Sequence, residues 1–362
     1  MRSREIKFIL FLFTLLGLLC VFSSSAVFSF EQYGSKYMMV FKQLLFFAAG
    51  WVVFYLMQKF TGKKAIAALT VFITVVSMLG LIYVLISGVR INNAKRWIQF
   101  FGFTVQPSEF FKISALLLMA FSINKQGKII LKNKRGVWEW GNVFRISIIL
   151  TGLALVLVAP DMGTTITIGA ALLAGLVFSK TNFKYTAGIL LICALLVVTF
   201  IYFSPYRRAR VVSMFKSGGG QTFNYQRFQS QNAIQKGGVF GKGIGRGRMK
   251  VFSLPEAWSD FIFSVISEEV GLIGGILLIG LYFLLFLRIY NIGNKTKDIQ
   301  LKYFTLMFLV LLSMQVGFNI GVAVGVLPPT GMVLPLISSG GSALIAFMMG
   351  FGICEAVSNR NG

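Results

Sequence analysis

The chain has 362 residues, 56% of them apolar, with a mean hydropathy of +0.78 and a formal net charge of +24. Its apolar runs recur along the whole length instead of gathering into one core, which excludes a soluble globular chain. In a soluble domain the cationic excess would point to nucleic acid, but a bilayer sorts lysine and arginine by loop, so no nucleic-acid partner is expected.

The apolar runs predict an all-α polytopic membrane protein of about ten spans, near 8–29, 38–57, 65–87, 108–123, 144–159, 162–179, 185–203, 260–287, 303–326 and 342–357. Several fall short of the ~20 residues of a full span. Arg2, Arg4 and Lys7, an apolar stretch from Phe8 to Phe22 and small residues from Ser23 to Ala26 have the order of a signal peptide. The loop alternation works with the stretch retained, so it reads as an uncleaved first span. Both termini are then cytoplasmic. The inside segments carry Lys59, Lys63 and Lys64, the cluster from Lys125 to Arg145, Lys180 and Lys184, and Arg288 to Lys302, as the positive-inside rule requires. The whole chain, 1–362, reads as one membrane domain with a large extracytoplasmic loop at about 204–260. Cys20, Cys193 and Cys354 lie in or beside apolar stretches without CxxC or Cys/His spacing and read as packing residues.

The outer segment from Gly88 to Pro107 carries Lys95, Arg96 and Trp97, ordinary membrane-interface chemistry. Pro107, Ser108 and Glu109 read as a helix start, and Lys112 can pair with Glu109 one turn on. Asp161, in VAPDMGTT, falls in a tight outer turn, where capping and function explain it equally well. The large loop is basic for an outside segment, with ten cations from Arg207 to Lys250 against Glu256 and Asp260. Such a surface suits an anionic partner, either lipid phosphate or pyrophosphate, or a generic anionic headgroup patch. Within it GGVFGKGIGRGR (Gly237 to Arg248) would let backbone amides approach a phosphate, but it lacks a preceding strand and the P-loop spacing.

There is no histidine, so a general base must come from the eleven carboxylates. LPEAWSDFIFSVISEE, from Leu254 to Glu269, concentrates Glu256, Asp260, Glu268 and Glu269 at the mouth of an apolar helix. Asp260 stands at the water boundary; Glu268 and Glu269 fall about two turns deeper, where ionisable groups usually face a cavity. The alternative for Ser259 and Asp260 is a plain helix cap. Gly317, Gly321 and Gly325, and Gly271 with Gly275, form GxxxG steps that predict close helix packing. In VLPPTGMVLPLISSGGSALI, Pro328, Pro329 and Pro335 forbid a continuous helix. Non-helical backbone at membrane depth must line protein or a water-filled cavity, so this segment is expected beside Asp260.

Taken in order, AKRWI at 94–98, QPSEFFK at 106–112, PDMGT at 160–164, GGVFGKGIGRG at 237–247, LPEAWSDFIFSVISEE at 254–269 and LPPTGMVLPLISSGGS at 327–342 resemble the SEDS family (shape, elongation, division and sporulation). The resemblance covers nearly the whole chain. It implies a ten-span glycosyltransferase that polymerises peptidoglycan from lipid II, with the active site on the outer face of the bacterial inner (cytoplasmic) membrane. The PEA run and the glycine spacing from Gly243 to Lys250 are closer to the division branch than to the elongation branch.

On this resemblance Asp260 is the catalytic base, and the large-loop cations and the Arg96 segment lie near the substrate. The candidate substrate-binding set is Arg96, Lys242, Arg246, Lys250, Glu109, Lys112, Asp161, Glu268, Glu269, Ser338, Gly340 and Gly341. One base on an acceptor hydroxyl suits a single inverting displacement, and cations, with a divalent Mg or Mn ion as the one cofactor to consider, would balance charge on the departing pyrophosphate. The implied partners are lipid II, the undecaprenyl-pyrophosphate-linked glycan, a class B penicillin-binding transpeptidase and other divisome or elongasome proteins. Trp258 stands where the family usually carries histidine, and Ser339 where it usually carries tyrosine. Two other readings compete: a lipid II flippase or other transporter built on Glu109, Lys112, Glu268 and Glu269, and a non-catalytic scaffold.

Overall fold

A computed structural model describes residues 2–60, 62–91, 94–100, 102–131, 137–179, 221–252 and 254–359. Among them run helices α1 (Arg2–Tyr33), α2 (Met38–Lys59), α3 (Lys63–Ser87), α4 (Pro107–Ser122), α5 (Trp140–Val158), α6 (Met162–Phe178), α7 (Gln221–Gly237), α8 (Met249–Phe252), α9 (Ile262–Lys295), α10 (Ile299–Ala323) and α11 (Gly341–Asn359). All the expected spans but one coincide with α1–α6 and α9–α11; the stretch 185–203 lies outside the described residues, as does the first part of the 204–260 loop. Seven of these helices, α1, α2, α3, α5, α9, α10 and α11, are long and apolar enough to cross a membrane, so the chain is a multi-pass membrane protein.

The pattern on α3 gives the physical reason. Ile66, Thr70, Ile73, Thr74, Ser77, Leu81 and Val84 recur at helical spacing and are buried, while Phe72, Val75, Val76, Leu79 and Ile86 are apolar and exposed. A helix apolar on both faces is at home only in lipid or a large core. Its few hydroxyls bond back one turn, Thr70 Oγ1 to the Ile66 carbonyl and Thr74 Oγ1 to the Thr70 carbonyl, both at 2.7 Å. These two buried hydroxyls are thereby satisfied within the helix itself. In α1 the helix continues unbroken through Ser23–Ala26.

The chain divides into two compact units, one of Met1–Phe47, Leu191–Phe286 and Ser313–Gly340, the other of Ala48–Leu190, Leu287–Leu312 and Gly341–Gly362. In the second unit α4 is buried along nearly its whole length. Glycines let it sit that deep: a Cβ on Gly80 would fall 2.9 Å from the Pro107 ring, and one on Gly152 would strike the Phe111 ring. The expected helix start holds, with Pro107 in the first turn beside Glu109. The segment before it is not a plain loop but an antiparallel meander of β1 (Val89–Ile91), β2 (Ala94–Phe100) and β3 (Phe103–Val105), with Val89 opposite Trp97 and Ile98 opposite Val105. This meander carries Arg96 on its central strand.

The GxxxG expectation fails in an informative way. Gly271 has φ +75° inside α9 and interrupts the helix, Gly325 has φ +82° just after α10, and a Cβ on Gly317 would meet no atom of the described residues within 4 Å. Gly271 and Gly325 serve backbone breaks, which only a residue without a Cβ makes cheaply.

Candidate functional site

In the first unit Asp260 sits in the turn that leads into α9, whose first helical residue is Ile262. The turn is wound on one carbonyl: Glu256 O accepts from the amides of Ser259 at 3.0 Å, Asp260 at 3.2 Å and Phe261 at 3.5 Å. Glu256 itself adopts φ +53°, a left-handed conformation unfavourable to a side-chain-bearing residue, which the tight turn imposes. Leu254, Ala257, Phe261, Val265 and Val322 pack beneath the turn as a buried apolar cluster.

The three carbonyls that follow are each held by a different donor. Trp258 O accepts from the Ser339 amide at 2.9 Å, Ser259 O from Ser338 Oγ at 2.6 Å, and Asp260 O from Asn319 Nδ2 at 2.9 Å. Two of these donors belong to the proline-broken stretch after α10, which is therefore laced directly onto the Asp260 turn. Asp260, Phe261, Val322, Pro329, Thr330, Gly331 and Met332 line a shallow surface hollow. The expected juxtaposition of broken segment and aspartate is present. Asp260 is half-buried at its edge, and Ser259 Oγ donates to Asp260 Oδ1 at 3.1 Å. Trp258 stacks on Phe28, with ring centroids 4.0 Å apart.

Ser338 is buried and fully engaged, since Leu334 N donates to its hydroxyl at 2.8 Å while it donates to Ser259 O. Gly340 lies where a Cβ would come within 3.0 Å of Val333 Cγ1. Gly341 opens α11 in the other unit. Trp258 and Ser339 thus meet in one backbone hydrogen bond beside Asp260.

Farther along α9, the helix break at Gly271 leaves carbonyls and amides without helical partners, and the glycine-rich loop after α7 takes them. Lys242 N donates to Glu268 O at 3.0 Å and Gly243 N to Glu269 O at 2.9 Å; in return Leu272 N donates to Gly238 O at 2.9 Å and Ile273 N to Val239 O at 3.3 Å. The amides of Lys242, Gly243 and Arg248 are thereby spent on α9. Its glycines allow the approach, because a Cβ on Gly241 would meet the Glu269 carbonyl and the Gly271 amide.

The carboxylates at the break are tied into the same loop. Glu268, wholly buried, accepts from Lys242 Nζ at 3.0 Å and from the amides of Arg248 at 3.0 Å and Met249 at 3.1 Å. Glu269 pairs with Lys250 and accepts from Ser23 Oγ of α1 at 2.7 Å. Lys250 is 6% exposed and Lys242 33%, whereas Arg246 is exposed. Four of the expected site residues, Lys242, Lys250, Glu268 and Glu269, are thereby brought together as two ion pairs.

The second unit holds the remaining candidates in two groups. Asp161 caps α6 through the Thr164 amide at 3.3 Å and also accepts from Gln106 Nε2 at 2.7 Å and Ser108 Oγ at 3.1 Å. Arg96 approaches it at 3.7 Å and donates to the Pro160 carbonyl, which leaves Arg96 Nε without a hydrogen-bond partner among the described residues. Glu109 and Lys112 form a buried ion pair at 2.6 Å, with the ammonium 4.9 Å from the centre of the Phe347 ring. Among the described residues no group of three His, Cys, Asp or Glu side chains could hold a metal ion, and Asp260 is the one carboxylate lining the hollow.

Sequence reasoning missed Gln315, Asn319 and Ser23. A signal existed for the first two: polar amides four residues apart in an apolar span lie on one face and need a partner inside the protein.

Comparison with known proteins agrees with this architecture. Residues 3–362 match the family model of cell cycle proteins that groups FtsW, RodA and SpoVE. The probable peptidoglycan glycosyltransferase FtsW of Trichlorobacter lovleyi is 33% identical over 348 residues, covering 95% of this chain and 90% of that one. Stage V sporulation protein E of Bacillus subtilis is 30% identical over 357 residues, with 95% and 93% covered. Among solved structures, a chain from work on the structural coordination of polymerization and crosslinking by a peptidoglycan synthase complex superposes with a TM-score of 0.79 at 26% identity, covering 99% of this chain and 97% of that one. The rod shape determining protein RodA of Thermus thermophilus shares the fold, with a TM-score of 0.70 at 24% identity, covering 99% of this chain and 96% of that one. The chain belongs to the FtsW, RodA and SpoVE family of cell cycle proteins.

Proposed function

We propose that this protein is a peptidoglycan glycosyltransferase of cell division, polymerising lipid II at the outer face of the bacterial inner membrane. The names of its FtsW relatives support the reaction and the division role. The observation that carries the chemistry is where the carboxylates sit: Glu109, Glu268 and Glu269 are paired with buried or half-buried lysines and Asp161 lies among Arg96, Gln106, Ser108 and the Thr164 amide, while Asp260 is half-buried at the edge of a surface depression walled by the broken segment.

In this reading Asp260 takes the proton from the C4 hydroxyl of the lipid II GlcNAc as that oxygen attacks C1 of the MurNAc on the growing strand. The C1–O bond to the undecaprenyl pyrophosphate breaks as the new bond forms, and the α-phosphate becomes a β-glycoside. One base suffices, since pyrophosphate leaves without a protonating carboxylate. Its charge is met by cations, and exposed Arg246 and part-exposed Lys242 are better placed to do so than buried Lys250. The strand made here would be cross-linked by a class B penicillin-binding transpeptidase, a partner supported by the likeness to a chain of a peptidoglycan synthase complex.

A transporter would use interrupted helices to expose backbone groups to its cargo. The interruption at Gly271 does not serve this, because the loop occupies its loose amides and carbonyls. The test is glycan-strand synthesis from lipid II by the purified protein with its transpeptidase, native against Asp260→Asn. Loss of activity by roughly 10²–10⁴-fold is expected for removal of a general base; equal rates would take Asp260 out of the chemistry.

A further inference from the structure

A buried amide on α10 joins Asp260 to the wall of its hollow. Asn319 is 1% exposed, and its Nδ2 donates to two carbonyls at once, Asp260 O at 2.9 Å and Met332 O at 2.8 Å. Met332 lines the hollow together with Asp260. One turn earlier on the same face Gln315 Nε2 donates to Val333 O at 3.1 Å, so the two amides bind consecutive carbonyls of the broken segment. Pro328, Pro329 and Pro335 prevent that segment from satisfying its own backbone, and at membrane depth every unmet carbonyl is expensive.

The geometry goes further than solvation of a loop. Of the three donors that hold the carbonyls of residues 258–260, the Ser339 amide and the Ser338 hydroxyl each bind one carbonyl of the turn; Asn319 alone of the three bridges the turn to another segment through a single side-chain nitrogen. Its Oδ1 is buried and has no hydrogen-bond partner among the described residues. Both hydrogens of the Asn319 amide are thus committed and its acceptor is held in reserve beside the aspartate backbone.

We propose that Asn319 is a positioning residue for the glycosyl transfer: by donating to both Asp260 O and Met332 O it fixes the height of Asp260 against the Pro329–Met332 wall. This rests on Asp260 being the base. Displacing a catalytic group by about 1 Å can lower a rate by roughly 10²-fold without touching substrate affinity. Space-filling would not behave so. Asn319→Asp keeps the shape and the acceptor but sets an oxygen against two carbonyls, whereas Asn319→Ala removes donor and acceptor together.

The experiment measures kcat and KM for lipid II polymerisation, with thermal unfolding in detergent, for the native protein, Asn319→Asp, Asn319→Ala and Asp260→Asn. The expected result is a fall in kcat of about 10²-fold in both Asn319 variants, with KM for lipid II within about twofold of native, among molecules that unfold at a native-like temperature. Native-like kcat in Asn319→Asp would overturn the proposal, since the isosteric residue then suffices as filler. A raised KM with kcat unchanged would overturn it too, by making Asn319 a binding group. Should either variant unfold early, Gln315→Glu provides the control on the same helix face: it strains the same segment through Val333 O, and a kcat lowered equally by it would assign the effect to the segment and not to Asp260. An active Asp260→Asn would instead sink the base assignment on which the proposal stands.

Discussion

Asp260 and the pair Glu268 and Glu269 lie on one continuous element, and their surroundings are opposite. The glutamates meet two lysines, two backbone amides and a serine hydroxyl in a closed knot. The aspartate is half-buried at the edge of a surface depression, where Ser259 Oγ donates to its Oδ1 while Asn319 and Ser338 hold carbonyls of its turn. A carboxylate at membrane depth is functional or structural according to what already satisfies it, and depth alone does not say which. The same lesson holds for Glu109 in the other unit, whose ammonium partner is as buried as itself.

The comparison can be broken most forcefully at Lys250. Lys250→Met leaves the Glu269 carboxylate buried with Ser23 as its one remaining side-chain partner among the described residues, a loss of about 3–5 kcal/mol for an uncompensated buried charge. Denaturant unfolding in detergent should register it, and Lys250→Met combined with Glu269→Gln should recover most of the loss. A recovered double variant that polymerises at the native rate confirms the knot as structural; one that folds but stays inactive would move Lys250 to the substrate.

A smaller effect is expected where the helix breaks. Gly271→Ala forces a Cβ into a left-handed position against the Val239 carbonyl and the Gly241 amide, at about 1–3 kcal/mol. Hydrogen exchange should speed up at the amides of Lys242, Gly243, Leu272 and Ile273, which the loop and helix share. Unchanged protection there would mean that the loop is held by its side chains alone.

The smallest change sharpens the Asp260 side. Glu256→Gly removes left-handed strain at φ +53° while freeing the unfolded chain, so stability should move by no more than ~1 kcal/mol. Glu256→Val, stiff at its Cβ, should lower it by roughly 1–2 kcal/mol and lower polymerisation with it, since three amides hang on that residue's carbonyl. Melting temperatures of the two variants side by side check both.

Composition and hydropathy alone determined that this is a multi-pass helical membrane protein, because apolar surface repeated in lengths near a bilayer's thickness has no other stable solvent. The proline pattern from Pro328 to Pro335 also told in advance that the backbone there must lie against protein beside Asp260. What glycines do was not legible: the same small residue serves helix contact at Gly152, a helix break at Gly271 and a turn at Gly325, and only the surrounding backbone distinguishes them. The partners of Glu268, Glu269 and Asp161 were equally hidden, since Ser23, Lys250 and Gln106 are distant in sequence and charge carries no address. Tertiary structure alone decided that Asn319 reaches Asp260, because a hydrogen bond between residues 59 positions apart depends on where two helices end and not on either residue's identity.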